Sequence, residues 1–575
     1  MFLRRPSDRD IDNLNTMAGE DAMMTDSNAH AVPNKRGDEP GRTKELKAKR
    51  CKEDTSGDVD MGSCEETTNV TNSSPSAASE GQAAQQLSSS ATAKNKAANE
   101  VDSDAEDDSE LDLEEEDSDE EGIFLDENGN PIENPDKTAA SKTKVFRPGQ
   151  DELAEDEELQ YDPNAYQMLH KLNTEWPCLS FDIVQDTLGG ARREFPHTCT
   201  VVAGSQAQNE KDNCIYVMKW SNLCEQQDES DSDDDSGSES EDEAKSEPKF
   251  ACRKVQHVGG TVNRIKAMPG AAQGIVATWA ENGRVNMWNL AEEFVAVGQE
   301  QSSSSTSEMV VKKPIFQSSP SDHKTEGYAM AWNWHKPGEF VSADNDGVLR
   351  FWKPREGGWS IDPSSFIGHK KGTAIEDLQF KRKGNGCETV FASCGGDGTV
   401  QIYDVRQGKK KSVISLQHSE DGSGYDVNVL DWNPLQGDII ASGADDGSIK
   451  VFDIRHATPN AAAAENGDQA LMAEFDYHRN AITAIHWHPL DEASLCVASC
   501  DQTLSLWDMA VELDEEALKE MHENVEGAED FPPQLLFLHQ GQQDVREAMW
   551  HPQIPGMVIS TAVDGFNCFK AKDNF

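Results

Sequence analysis

The sequence predicts an all-β fold, a seven-bladed propeller built from repeated four-stranded units, on three observations. From Tyr161 onward, short β-type runs replace the polar composition of the first part of the chain. Asp-Gly turns, the strongest local signal for a hairpin, join many of these runs. An aromatic residue ends one strand of each repeat and recurs at intervals of 48, 52, 55 and 63 residues, at Trp332, Phe380, Trp432, Trp487 and Trp550. Radial repetition of such units buries each blade against its neighbours.

The ends of the repeats delimit the blades. A second aromatic residue follows the first by twenty residues in three repeats, at Trp352, Phe452 and Trp507. Six blades are predicted at 257–290, 322–354, 368–406, 418–455, 477–510 and 538–571, and a divergent seventh covers about 195–220. These boundaries place the whole propeller, and its smaller insertions, within 185–575.

Residues 1–150 are predicted to be disordered, because they contain too few apolar residues to offset the entropy of ordering. The patch 41–52 has six Lys or Arg in twelve residues and is either a nuclear-import signal or a solvated patch. The tract 102–121 has fourteen acids in twenty residues. A second acidic region, 225–248, interrupts the propeller and is also predicted to be disordered. Acid-directed phosphorylation is expected in these tracts at Ser103, Ser118, Ser230, Ser232, Ser238 and Ser240.

Charge and motif content exclude several functions. With 52 Lys and Arg against 106 Asp and Glu, the net charge is −54, which argues against direct binding to nucleic acid and favours basic partners, or simply solubility. The twelve cysteines show no metal-ligand spacing, and no apolar run is long enough to cross a membrane. Because no phosphate loop or catalytic motif is present, we expect neither an enzyme nor a cofactor. We expect a monomer.

The segment 162–184 is predicted to be a helix followed by a strand. Asp162 and Pro163 are suited to a helix start, and Ala165, Met168, Leu169 and Leu172 then follow the spacing of one helical face. Alternating apolar residues from Leu179 to Ile183 indicate a strand. We interpret the pair as a capping helix and the strand that closes the ring against the last blade.

The repeats resemble those of WD-repeat proteins, and the helix with EWPCLSFD before a propeller resembles the retinoblastoma-associated histone-binding family within them. The acidic tracts are similar to those of a branch of this family, glutamate-rich ribosome-assembly factors that chaperone ribosomal protein L3. In WD-repeat proteins, histidines before each repeat hydrogen-bond with turn residues such as Asp397 or Asp446. That resemblance implies a structural role for His257, His369, His418, His478 and His539.

The same resemblance implies two binding regions. Positions near the starts of the channel-lining strands match residues that hold an Arg/Lys-rich peptide in the relatives: Asn263, Arg264, Glu326, Tyr328, Glu376 and Asn428. Thr483 and Arg546 lie at equivalent positions. The second region is a groove that holds a histone helix between the predicted helix (Met168, Leu169, Leu172) and an acidic loop (Glu526, Glu529, Asp530, Phe531, Pro532, Pro533). That loop is otherwise an ordinary insertion between blades.

Three functions remain open from the sequence. The first is a chaperone that binds a basic client, ribosomal protein L3, and delivers it to pre-60S assembly factors in the nucleolus and nucleus, with some protein in the cytoplasm. The second is a histone-binding chromatin factor. The third is a substrate receptor of a cullin ubiquitin ligase, because YDVR at 403–406 and FDIR at 452–455 resemble the WDxR ending of such receptors.

Overall fold

The computed structural model describes residues 162–226, 247–270, 274–299, 308–408, 410–419, 424–512, 519 and 531–572, together with four short strands outside those ranges. Of these four, Phe2–Arg4 pairs with Glu158–Gln160, and Thr143–Lys144 pairs with Val525–Glu526. The predicted disorder of 1–150 and most of 225–248 falls on residues outside the described part, and so do the six predicted phosphorylation sites.

The prediction of a seven-bladed, all-β propeller is confirmed: seven sheets of four antiparallel strands follow one another along the chain. The first strand in the ring, β1 (Tyr166–Leu172), belongs to the last blade. Blades 1 to 3 contain β2 (Cys178–Val184), β3 (His197–Ser205), β4 (Cys214–Leu223), β5 (Lys249–Gln256); β6 (Val262–Ala267), β7 (Ile275–Ala280), β8 (Val285–Asn289), β9 (Phe316–Gln317); and β10 (Met330–Trp332), β11 (Phe340–Ala343), β12 (Leu349–Arg355), β13 (Gly358–Ile361).

The remaining blades repeat the same order of strands. Blades 4 to 7 contain β14 (Ile375–Phe380), β15 (Val390–Gly395), β16 (Thr399–Asp404), β17 (Ser412–Gln417); β18 (Val427–Trp432), β19 (Ile439–Ala444), β20 (Ile449–Asp453), β21 (Leu471–Phe475); β22 (Ile482–Trp487), β23 (Ser494–Ser499), β24 (Thr503–Asp508), β25 (Leu535–Gln540); and β26 (Glu547–Trp550), β27 (Met557–Ala562), β28 (Gly565–Ala571) with β1. Two helices, α1 (Ala291–Gln299) and α2 (Ala463–Ala470), occur among the described residues, each before the fourth strand of a blade.

Ring closure differs from the prediction. The predicted capping helix is wrong: after one 3-10 turn at Pro163–Ala165, the segment Tyr166–Leu172 is a strand that pairs antiparallel with Gly565–Ala571. This strand closes the ring, whereas the strand predicted to do so, now Cys178–Val184, is the innermost strand of blade 1. The divergent blade therefore spans Cys178 to Gln256, and the predicted range 195–220 covers only its middle two strands.

The helical spacing of the apolar residues in β1 has a physical explanation. A blade is covered on both faces, so both sides of its strands carry apolar side chains. Met168 and Leu172 pack into the core between blades 7 and 1, whereas Tyr166 and Leu169 pack into the core between blades 6 and 7. The unpaired edge of β28 supplies the hydrogen bonds that draw this segment into a strand.

The histidines act in the structural network that the resemblance implies. His369 contacts Asp397 at 2.9 Å and Ser393 at 2.7 Å, and His478 contacts Asp501 at 2.8 Å and Ser505 at 2.8 Å. His418 instead contacts the hydroxyls of Ser442 and Ser448, at 2.7 and 3.0 Å. Asp446 reaches this histidine only through Ser448. His257 and His539 are also buried and hydrogen-bonded.

The direction of the strands defines two faces of the ring. The innermost strands begin at one end of the central channel, so the connections between first and second strands, and between third and fourth strands, lie at the opposite end, which we call the far face. The acidic region in blade 1 connects its third and fourth strands, and so does the acidic loop of blade 6. Gln226, where the first of these leaves the described residues, donates its backbone N–H to Gln167 of β1 at 2.8 Å.

Neither a membrane span nor a metal site is found in the described ranges. No helix there has the length and apolar character to span a membrane. The same residues contain no group of three or more His, Cys, Asp or Glu side chains placed to hold a metal ion.

Candidate functional site at the mouth of the propeller

The residues predicted to hold a basic peptide lie together at the end of the channel where the innermost strands begin. We call this end the mouth and define it by the following residues: Asn263, Arg264, Glu326, Tyr328, Glu376, Asn428, Thr483 and Arg546. The repeat places them there because each occupies an equivalent position at the start of an innermost strand, or in the turn before it.

Three polar side chains of the mouth join one blade to the next. The amide of Asn263 donates to Glu326 Oε2 at 3.1 Å, and that of Asn428 donates to the backbone oxygen of Ile482 at 3.2 Å. The hydroxyl of Thr483 donates to the backbone oxygen of Val545 at 2.9 Å. These contacts hold the rim of the mouth in a fixed shape before a ligand arrives.

Arg264 lies across the channel below the rim rather than pointing to solvent. Its Nε donates to the backbone oxygen of Tyr328 at 3.2 Å, and its Nη1 contacts Glu547 Oε1 at 3.2 Å. The side chain is 15% exposed. Because its charge is already paired, Arg264 acts as a floor that limits how deeply a client side chain enters the mouth.

Glu376 is the most perturbed acid of the mouth. Burial, and then the carboxylate of Asp426, raise the pKa of Glu376 to about 7, and Asp445 adds to the rise, whereas Arg264 opposes it. Burial and then Asp445 likewise raise the pKa of Asp426. A cluster of mutually repelling carboxylates is a site for a cation, since an incoming Arg or Lys relieves the repulsion.

Tyr328 lies among these charges. Its pKa is raised, chiefly by burial and then by the carboxylates of Glu326 and Glu376. Arg546, the second cation of the mouth, forms an ion pair with Asp544. The phenol ring is therefore beside the acids that would bind a client cation, where cation–π contact adds to the ion pair.

Sequence reasoning missed three residues of this region. Asp426 and Asp445 complete the acidic cluster, and the signal for them was their proximity in sequence to predicted residues: Asp426 precedes Asn428 by two, and Asp445 belongs to the turn ADDG. Asn428 Nδ2 donates to Asp445 Oδ1 at 2.8 Å. Glu547, which pairs with Arg264, had no such signal because its partners come from other blades.

The second predicted region, the groove for a helix, is not formed as expected. Met168 is fully buried in β1, and Leu169 and Leu172 pack against the cores of neighbouring blades, so none of them lines an open groove. Of the acidic loop, Phe531 is described and its ring lies 5.8 Å from that of Tyr477. Pro532 accepts a hydrogen bond from Leu535, and Pro533 is half-buried. The side chains of Glu526, Glu529 and Asp530 lie outside the described residues.

The two WDxR-like endings have the same local geometry. Arg406 and Arg455 each contact the Asp two residues earlier through two nitrogens, and both guanidinium groups are largely exposed. They lie at the ends of the third strands of blades 4 and 5.

Comparison with known proteins agrees with this architecture. The family model of the histone-binding protein RBBP4 and its counterpart in the CAF1 complex matches residues 156–224, and the WD domain, G-beta repeat, matches 363–404, 408–453 and 469–508. Ribosome assembly protein rrb1 of Schizosaccharomyces pombe is 37% identical over 79% of this chain and 90% of its own length. Glutamate-rich WD repeat-containing protein 1 of Dictyostelium discoideum is 36% identical over 82% and 95%. The chain belongs to this family of glutamate-rich WD-repeat ribosome assembly proteins.

Other relatives of this glutamate-rich WD-repeat chain have different names. Protein HEAT STRESS TOLERANT DWD 1 of Arabidopsis thaliana is 40% identical over 74% of this chain and 90% of its own length. A histone acetyltransferase type B subunit 2 of Debaryomyces hansenii is 25% identical over 53% and 64%. The relatives are thus named as assembly, tolerance or histone-modifying proteins on one scaffold.

Proposed function

We propose that this glutamate-rich WD-repeat protein is a non-enzymatic ribosome biogenesis factor that binds a basic client, ribosomal protein L3, and delivers it to pre-60S particles. The relative named ribosome assembly protein rrb1 supports the role in assembly. L3 as the client follows from the family resemblance alone. Partners would be the client and pre-60S assembly factors, in the nucleolus and nucleus.

The observation that carries the proposal is the acidic cluster of the mouth. Glu376, Asp426 and Asp445 repel one another strongly enough to raise the pKa of Glu376 to about 7. A client Arg or Lys that enters between Glu376 and Glu326, against the ring of Tyr328, would gain charge-assisted hydrogen bonds and cation–π contact. Arg264 below would stop it at that depth.

The acidic tracts add a second, less specific attraction. The region 229–243 holds nine acids in fifteen residues and no basic residue. Many weak, salt-screened contacts with a client's Lys and Arg side chains would compete with RNA phosphates for the same surface. In this proposal the mouth selects the client and the tracts raise the rate of capture.

A histone client is the second candidate, favoured by the match of residues 156–224 to the histone-binding family model. The buried positions of Met168, Leu169 and Leu172 argue against a helix groove like the one predicted, so a histone would have to use the mouth.

Affinity purification of the tagged protein from cells, followed by mass spectrometry, separates the candidates. Recovery of L3 with pre-60S assembly factors supports the proposal. Recovery of histones without L3, or of a cullin ligase adaptor through the exposed Arg406 and Arg455, contradicts it.

A further inference from the structure

The channel opens at the far face into a cavity that the proposed function does not use. Its volume is about 910 Å³, counting the part open to solvent, and residues from six of the seven blades line it. The walls are apolar, with Met268, Pro269, Trp332 and Met549 among them, and Trp334 at the entrance is 40% exposed. We call it the far-face cavity.

The charged groups that line this cavity are mainly cationic. Arg382 and Lys266 line it, with side chains 16% and 17% exposed. Their partners, Asp431 and Glu547, are buried behind the lining. Asp182 is the acid of the lining, and both of its oxygens accept backbone N–H groups, from Ile183 and Ala267. In a chain of net charge −54, one end of the channel is acidic and the other presents cations.

Hydrogen-bond donors converge in the far-face cavity. The Arg382 guanidinium lies 4.9 Å from the ring centre of Trp334 and makes one side-chain hydrogen bond, from Nη2 to Asp431 at 3.3 Å. Its Nε has no acceptor within the described part of the chain. Nδ1 of His486 accepts the backbone N–H of Trp550 at 3.3 Å, which leaves the proton of the neutral ring on Nε2.

The neutral state of His486 has a clear cause. Burial, and then the positive charges of Arg382 and Lys266, hold the pKa of His486 well below its ordinary value. Both cations therefore act on one ring, and the ring, the guanidinium and the ammonium are all donors. Such a set fits a carboxylate, and apolar walls around it fit a large apolar side chain.

From this geometry we propose that the far-face cavity binds an acidic peptide segment of a partner protein, with a large apolar side chain between Trp334 and Met549 and a carboxylate at Arg382 and His486. The site is separate from the mouth and does not depend on the identity of the basic client.

Two acidic segments of the chain itself also leave at the far face, but neither fits this chemistry well. The segment 227–246 contains no apolar side chain larger than that of Ala244. The segment 513–530 has apolar residues, yet its strand Val525–Glu526 already pairs with Thr143–Lys144. A partner protein is therefore the better source of the ligand.

The test uses fluorescence anisotropy with the full-length protein and a labelled synthetic peptide, Glu-Glu-Asp-Phe-Leu-Asp-Glu-Glu. Saturable binding is expected, with Kd raised at least about tenfold by Arg382→Gln, which removes a charged donor. Trp334→Ala should weaken binding similarly and, since the side chain is partly exposed, with little effect on folding. The matched control is Lys383→Gln, an exposed cation next in the chain, which should bind within about twofold of the parent.

Two further arms identify the chemistry and the source. A peptide with Ser in place of Phe and Leu should bind at least about tenfold more weakly, because it lacks the apolar anchor. Glu376→Gln, at the mouth, should leave Kd unchanged. The proposal is overturned if Arg382→Gln and Trp334→Ala bind like the parent, if the Ser peptide binds equally well, or if binding is absent or appears only after 228–246 or 513–530 is deleted, which would make the chain its own ligand. Urea unfolding of each variant verifies that it is folded.

Discussion

Glu547 Oε2 lies 2.8 Å from the backbone nitrogen of Phe181, a hydrogen bond that joins the last blade to the first beside the channel. The same carboxylate accepts from Ser180 at 2.7 Å, and its Oε1 contacts Lys266 at 2.8 Å and Arg264 at 3.2 Å. Burial acts to raise the pKa of Glu547, but Lys266 and Arg264 outweigh it and hold the pKa below its ordinary value. One acid thus stabilises the closed ring and two buried cations.

Glu547→Gln should therefore destabilise the fold strongly. Two buried cations lose their charge partner, which costs about 3–5 kcal/mol of the free energy of unfolding. Urea denaturation followed by tryptophan fluorescence measures the loss. Glu388→Gln is the control, because that carboxylate is 63% exposed and 3.6 Å from Lys336, and it should cost under about 1 kcal/mol. Equal midpoints for the two variants would show that Glu547 does not hold the ring.

Substitutions in the mouth test whether the client sits in a formed site. Glu376→Gln leaves a client cation poorly paired in a partly desolvated pocket, which should cost about 2–5 kcal/mol, or roughly 30-fold or more in affinity. Tyr328→Ala should also weaken binding, through lost packing and cation–π contact. Titration of a peptide from the N-terminus of L3 provides the measurement. If both variants bind like the parent, the mouth is not the site and the acidic tracts alone hold the client.

Client affinity should rise with pH through the neutral range. The pKa of Glu376 in the free protein is about 7, so about half of the molecules carry a proton there at neutral pH. A bound Arg or Lys favours the ionised form, so binding expels this proton and strengthens as pH increases from 6 to 8. Titrations of the same peptide at pH 6, 7 and 8 should show this trend in the parent and a flatter one in Glu376→Gln. Identical slopes would mean that another group titrates.

Deletion of 229–243 should mainly change the rate of association. The nine acids of this region attract a basic client over a distance but form no fixed contact, so their loss slows capture and flattens its salt dependence while dissociation changes little. Stopped-flow mixing with the client at two salt concentrations measures both rates. A large increase in the dissociation rate would instead assign the region to the bound interface.

Truncation of Met168 tests the strand that closes the ring. Its side chain is fully buried between blades 7 and 1, so Met168→Ala should cost about 2–5 kcal/mol of the free energy of unfolding. Lys171→Ala, at an exposed position of the same strand, should lie within about 0.5 kcal/mol of the parent. Comparable unfolding midpoints for both would place Met168 outside the core.

The repeat architecture was predictable because its signals are local. Each blade carries its aromatic residues, its Asp-Gly turn and its alternating strands within about fifty residues, so the spacing of Trp432 and Trp487 sufficed to locate blades. The strand Tyr166–Leu172 was predicted as a helix because its partner, Gly565–Ala571, is remote in sequence and both of its faces are buried. Local spacing cannot reveal either fact.

The candidate site was predictable in position and less so in chemistry. Equivalent positions in the repeat located Glu376 and Tyr328 at the mouth. The roles of Arg264 and Glu547 depend on contacts between blades 2, 3 and 7, which no single repeat encodes. The far-face cavity escaped sequence reasoning for the same reason, since Arg382, His486 and Trp334 belong to three different blades.

The pairing of Tyr166–Leu172 with Gly565–Ala571 also governs when the protein can be completed during synthesis. The two strands are about 400 residues apart in the chain, so the N-terminal strand emerges from the ribosome long before its partner is translated. Blades 1 to 6 can assemble in order on the nascent chain, but the ring stays open until the last residues leave the exit tunnel. Closure is therefore a post-translational event with a high loop-closure entropy, and an early-emerging, aggregation-prone edge has to wait for it.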